Sequence, residues 1–150
     1  MKNKGFTLIE LLAVIVILAI IALIATPMIL GVIDTAKRGS AESAALGYVD
    51  AVEKSIMLNQ VNGGVAPADD EYTISANGKT LTSKTKTYKN ASGATVNYTI
   101  TVDFKGEAPK GTVTINSKNQ VSLAKLTFKN IIEKEVTYNI TANKLATVAS

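Results

Sequence analysis

The sequence predicts an α+β protein: a long N-terminal helix packed against a C-terminal antiparallel β-sheet. Three observations predict it. Residues 6 to 33 hold 23 apolar residues out of 28, against 46 out of 117 from 34 to 150. Directly after that dense stretch, apolar residues recur at helical spacing. Beyond residue 72 the chain turns to short alternating runs, and 14 of its 17 Thr lie there.

The 150 residues suit one domain with an appended segment. The chain has no Cys, His or Trp, which excludes thiol nucleophiles, Cys/His zinc sites and His-based acid–base chemistry. Carboxylate, Lys and hydroxyl chemistry remain, with no constellation that marks an enzyme. The sequence therefore predicts no catalytic residues, no cofactor and no metal site.

The first element is a hydrophobic helix over residues 6–33. Leu11 to Ile33 runs uncharged for 23 residues, enough at ~1.5 Å per residue to cross a hydrocarbon layer of ~30 Å. Lys2 and Lys4 precede it, and a positive flank keeps that end in the cytoplasm. A cleaved secretory signal fits poorly, because no A-x-A triplet follows the apolar run at a sensible distance. A plain anchor explains everything except Glu10, a carboxylate set directly against the span, where a charge needs a partner.

Lys4-Gly5-Phe6-Thr7-Leu8-Ile9-Glu10 resembles the processing motif of type IV prepilins: a short basic leader, Gly, Phe, then Glu at a fixed spacing. The resemblance covers about residues 1 to 60. It implies a leader over 1–5, cleavage between Gly5 and Phe6, and N-methylation of Phe6, both by a prepilin peptidase/N-methyltransferase. Gly5 suits that chemistry, since a residue without a side chain lets its peptide bond lie close to catalytic groups. The resemblance further implies a helical homo-oligomeric filament in which Glu10 pairs with the Phe6 amine of a neighbouring subunit, because either charge buried alone would cost several kcal/mol. An assembly platform with its ATPase is the implied machinery. The implied location is the cytoplasmic membrane before assembly, single-pass with the N-terminus inside, and an extracellular surface filament afterwards. Pro27 and Gly31 interrupt the apolar run. By the same resemblance they mark a helix kink, and Thr26 to Gly31 would lose helical order in a filament.

The second element, residues 34–62, continues the helix as an amphipathic one. Ala36, Ala41, Ala45, Tyr48, Val52 and Ile56 form one stripe, with Asp34, Lys37, Arg38, Glu42, Asp50 and Lys54 mostly off it. Gly63-Gly64 and then Pro67 give the stop. Residues 63–150 form the β head. Val96, Tyr98, Ile100, Val102 and Phe104 alternate as a half-buried strand. Val113/Ile115, Val121/Leu123 (extended by Leu126/Phe128) and Val136/Tyr138/Ile140 are shorter versions. Asn77-Gly78, Ser92-Gly93, residues 106–111 and Asn116 to Asn119 read as connections. Four or five strands result, one face on the helix stripe and one wet, with Tyr72 to Ser75 as an added edge. The absence of Cys departs from pilins that close their C-terminal region with a disulfide, and resembles the cysteine-free pilins of Gram-positive bacteria.

Two further clusters need weighing. Asp69-Asp70-Glu71 lacks calcium-loop spacing and reads as a solvated loop. From Gly63 onward there are 11 Lys against 7 acidic residues, and Lys84, Lys86 and Lys89 surround Tyr88. That grouping suits contact with DNA, while a solvated, Lys-protected edge strand is the preferred reading. The sequence as a whole predicts a pilus subunit serving adhesion, motility or surface attachment. A minor component of a DNA-uptake or secretion filament is the alternative. A membrane-anchored surface binding domain that never polymerises is the third.

Overall fold

The structure is a computed structural model that describes residues 5–128 and 135–149. Lys2 and Lys4 of the leader lie outside the described residues. One helix, α1 (Leu8–Val61), is followed by seven strands. The chain divides into two compact units, Met1–Ala36 and Lys37–Ser150.

In the first unit every described residue is exposed except Ala25, which is half-buried. α1 is long and apolar enough there to cross a membrane. Pro27 lies inside the helix and offers no N–H to the carbonyl one turn back. Two threonine hydroxyls back-bond close by: Thr26 Oγ1 donates to the Ala22 carbonyl at 2.6 Å and Thr35 Oγ1 to the Gly31 carbonyl at 3.0 Å. The backbone stays helical from Thr26 to Gly31.

In the second unit the predicted stripe is buried at Ala41, Ala45, Tyr48, Val52 and Ile56, joined by Val49 and Ser55. Ala36, predicted as its first member, is exposed and closes the first unit. The helix ends where expected. Gly63 turns to φ 72°, and the Gly64 N–H returns to the Asn59 carbonyl at 2.8 Å, capping the last turn.

The strands are β1 (Asp70–Ile74), β2 (Thr80–Lys89), β3 (Thr95–Thr101), β4 (Lys110–Ile115), β5 (Val121–Phe128), β6 (Val136–Thr141) and β7 (Ala146–Val148). All pairs are antiparallel, in the order β3-β2-β1-β4-β5-β6-β7. Two expectations need correcting. The sheet has seven strands rather than four or five, and Tyr72 to Ile74 of the expected Tyr72 to Ser75 edge lies in an interior strand, β1, between β2 and β4. β2 was hidden because its inward positions include Ser83 and most of the rest is Lys and Thr. β7 is only 3 residues long.

The predicted alternation from Val96 to Phe104 holds in burial, yet the ladder stops at Thr101. Val102 starts a connection that carries the chain back past β2 and β1 to lay β4 beside β1. Phe104 in that connection meets Tyr48 of α1 edge-to-face, with ring centroids 5.2 Å apart. The Val121/Leu123 pairing is also corrected. Ile115 pairs with Val121 while Thr114 pairs with Leu123, so Ser122 is the extra residue of a bulge. Inward positions then continue at Ala124, Leu126 and Phe128, all fully buried.

Tyr hydroxyls tie sheet to helix. Tyr48 donates to the Gly78 carbonyl at 2.8 Å, and Tyr138 to the Arg38 carbonyl at 3.1 Å. At the far edge Lys144, at φ 57°, holds Asp50 at 2.5 Å and Glu53 at 3.3 Å. Those two carboxylates raise the Lys144 ammonium above its ordinary range.

Gly111 in β4 adopts φ 131°, and a Cβ there would lie 1.9 Å from the Lys125 carbonyl oxygen. Gly111→Ala is expected to cost about 3 kcal/mol, from backbone strain and forced separation of β4 from β5. Urea unfolding of the detergent-solubilised chain, followed by circular dichroism, measures it, and an unchanged midpoint would contradict the close approach. Tyr48→Phe leaves the buried Gly78 carbonyl unpaired and is expected to cost about 1–2 kcal/mol in the same assay.

Candidate processing and assembly site

Residues Gly5, Phe6 and Thr7 precede α1 and are not helical. A peptide bond must lie outside a helix and be reachable to enter a protease, and Gly5 to Thr7 meet both conditions. Phe6 is 86% exposed, and nothing lies within 4 Å of where a Gly5 Cβ would stand.

The start of the helix is fixed by a reciprocal cap. The Glu10 carboxylate accepts from the Thr7 N–H at 2.8 Å and from the Thr7 hydroxyl at 2.7 Å. In return the Glu10 N–H donates to Thr7 Oγ1 at 3.3 Å. This is a capping box, with Thr7 at the N-cap and Glu10 at the third helical position. The Thr7 carbonyl takes the first ladder bond, from the Leu11 N–H at 3.2 Å. Glu10 thus has partners within its own chain, and its charge suits the positive end of the helix dipole. Thr7 was missed from the sequence, although a Thr three residues ahead of a Glu at the head of an apolar run is a legible sign.

The head cluster is arranged differently from its linear order. Lys84, Lys86, Tyr88 and Lys89 all fall on β2, whose register against β3 slips between Thr82 and Thr87. Lys84 is tied to Glu71 at 2.7 Å. The Lys86 N–H donates to Asp70 Oδ2 at 3.0 Å. The Tyr88 ring lies against Tyr98 with centroids 4.9 Å apart, while Lys89 pairs opposite Thr95 at the hairpin end. The four residues therefore share one strand, with the Lys84 ammonium engaged by Glu71 and the Tyr88 ring by Tyr98.

Asp70 and Glu71 correct the reading of a solvated acidic loop, since both belong to the interior strand β1. Asp70 receives Ser83 Oγ, the Thr85 N–H at 2.8 Å, Thr85 Oγ1 at 2.9 Å and the Lys86 N–H. It is the acceptor that holds the irregular stretch of β2. Partial desolvation raises the Asp70 carboxyl, but these donors outweigh it and keep it well below the usual carboxylate range. The Lys84 and Thr112 side chains lower Glu71 as well. Among the described residues no group of three acidic side chains is placed to hold a metal.

Residues 1–26 match the family model of the prokaryotic N-terminal methylation motif. No curated protein and no solved structure matches the chain significantly. Motif and architecture together, a long N-terminal helix and an antiparallel sheet, mark a type IV pilin-like protein. The motif points to a structural protein rather than an enzyme, and to processing by a prepilin peptidase.

The lowered Asp70 carboxyl carries a pH signature. A depressed folded value contributes stability that is complete above the ordinary 3.8 and is lost as pH falls below it. Asp70→Asn should lower the urea midpoint at neutral pH and flatten its decline between about pH 5 and about pH 2. A parallel decline in both proteins would remove Asp70 from that role.

Proposed function

We propose that the chain is the structural subunit of a type IV pilus or pilus-like filament, stored in the cytoplasmic membrane after leader removal and polymerised through α1. The observation that carries this reading is a capped carboxylate, Glu10, at the head of an apolar helix whose side chains from Leu8 to Leu30 are almost all exposed. An apolar helix surface of that length is stable only under lipid or against other helices. In the membrane, Thr7 satisfies Glu10. In the filament, the cationic amine freed at Phe6 of a neighbour takes that place, and pairing fixes the register between identical helices. Pro27 and Gly31 supply the weak point at which the assembled helix stretches.

The basic leader residues Lys2 and Lys4 hold the N-terminus in the cytoplasm for the peptidase. An assembly platform and its ATPase extract the mature chain, and the filament serves adhesion, motility or surface attachment. The DNA-uptake reading loses support from the Lys84–Glu71 ion pair. A cysteine-free head is in keeping with a Gram-positive source.

Mass spectrometry of the mature protein from a host with the peptidase is expected to find N-methylated Phe6 at the terminus; an intact Met1 would refute the filament reading. Glu10→Ala is expected to be processed normally yet to be absent from sheared surface filaments. Filaments of normal yield from that variant would end the proposed role of Glu10.

A further inference from the structure

Between the C-terminal end of α1 and the β2–β3 hairpin lies a cleft of about 630 Å³, within the ~300–1,000 Å³ usual for small-molecule sites. It lies wholly within the unit Lys37–Ser150. Tyr88 and Tyr98 line it as a tilted aromatic pair, their planes at 45°. Asn59 and Lys79 bring one amide and one cation to the same space, and Thr99, Thr101 and Asp103 line it along the open edge of β3 and just past its end. This grouping is not legible in the sequence, because its members come from α1, β2, β3 and the connections between elements.

We propose that this cleft binds a neutral saccharide, with a pyranose ring packed on the tyrosine pair and its hydroxyls bonded to the surrounding polar groups. The C–H face of a pyranose is apolar and matches the face of an aromatic ring, while its rim of hydroxyls both donates and accepts. The cleft offers both kinds of partner. Asn59 is steadied by its Nδ2, which donates to the Val65 carbonyl at 2.9 Å. Lys79 is a donor, and the edge of β3 with the residues after it, from Thr99 to Asp103, adds backbone donors and acceptors.

The charge pattern selects against anionic ligands. One Lys and one Asp line the cleft, so a phosphate or carboxylate would gain from Lys79 and lose to Asp103. Lys84 of β2 is occupied by Glu71. The tilted rings lie in mutual contact at 4.9 Å, so they offer a joint face and no slot between them. A nucleic acid needs a run of cations along its backbone and meets one Lys beside one Asp at this cleft.

The test uses the unassembled full chain in a zwitterionic detergent that has no sugar headgroup, so that its outcome is independent of polymerisation. The probe is an array of neutral β-galactosides, β-glucosides and N-acetylhexosaminides, with a single-stranded oligonucleotide alongside. Saturable binding to at least one neutral glycan is expected, nearly independent of salt. Tyr88→Ala should weaken it by about tenfold or more, and Lys79→Met, which keeps the length and removes the ammonium, by about three- to tenfold. Thermal unfolding checks each variant, and Lys79→Met, at an exposed turn position, carries the test if Tyr88→Ala loses its fold. Three results would overturn the proposal: no neutral glycan bound, glycan binding unchanged in every folded variant, or binding only to the oligonucleotide with steep loss in salt.

Discussion

The sheet depends on one stripe of α1. Ala41, Ala45, Tyr48, Val49, Val52 and Ile56 are the helix side of the core, and every buried apolar strand residue among those described belongs to the same cluster. Ala at two of the first positions keeps that end of the stripe low. Tyr48 is the pivot: its ring meets Phe104 of the crossing connection, and its hydroxyl holds the turn at Gly78. That turn is held tightly enough that a Cβ on Gly78 would come within 2.6 Å of Ala108. One side chain thus locks the helix, the β1–β2 turn and the return of the chain to β4. A head without Cys gains from this what a disulfide would supply elsewhere, a fixed relation between distant segments, by buried packing and buried hydrogen bonds.

The same helix has no such partner in its first unit, and the contrast separates two kinds of chemistry. Residues 5–10 lie in the matched methylation motif, with Thr7 and Glu10 satisfying each other at the helix start. Under the proposed assembly Glu10 changes partners: its present ones are a backbone N–H and a hydroxyl, neither of which carries charge. A cationic amine is the stronger partner for a carboxylate in a dry environment.

Much of this was legible in the sequence. The helix, its stop at Gly63 and the turns at Gly78, Gly93 and Asn119 all follow from local chemistry, and local chemistry is what periodicity and turn residues report. What stayed hidden was non-local. β2 could not be read because its order comes from Asp70, which supplies acceptors from the next strand. β1 looked like an edge because a five-residue strand with Asp and Glu at its start carries no mark of an interior place. Its place is set by the crossing connection, which brings β4 to its other side. The bulge at Ser122 reversed the face of Leu123 for a similar reason, since one extra residue inverts a period-two pattern. The Thr7–Glu10 cap was the opposite case, wholly local and readable from its spacing.

The wet face follows the logic of the core in reverse. Across the whole sheet one registered row reads Thr99, Thr82, Thr73, Thr112, Lys125, Asn139 and Thr147. Thr is β-branched, so it favours extended backbone without asking for burial. A sheet with Thr on its outer face can therefore hold seven strands against one helix and leave that face to water. Sequence changes there disturb neither the stripe nor the assembly end, so the outer face can vary while the fold and the N-terminal chemistry stay fixed. The cleft at Tyr88 and Tyr98 has less of that freedom. Its polar members are rooted in α1 and β3, and Ser55 of the same cleft accepts the Asp103 N–H at 3.4 Å. Its shape is consequently inherited from the core, which is the condition for a preformed site.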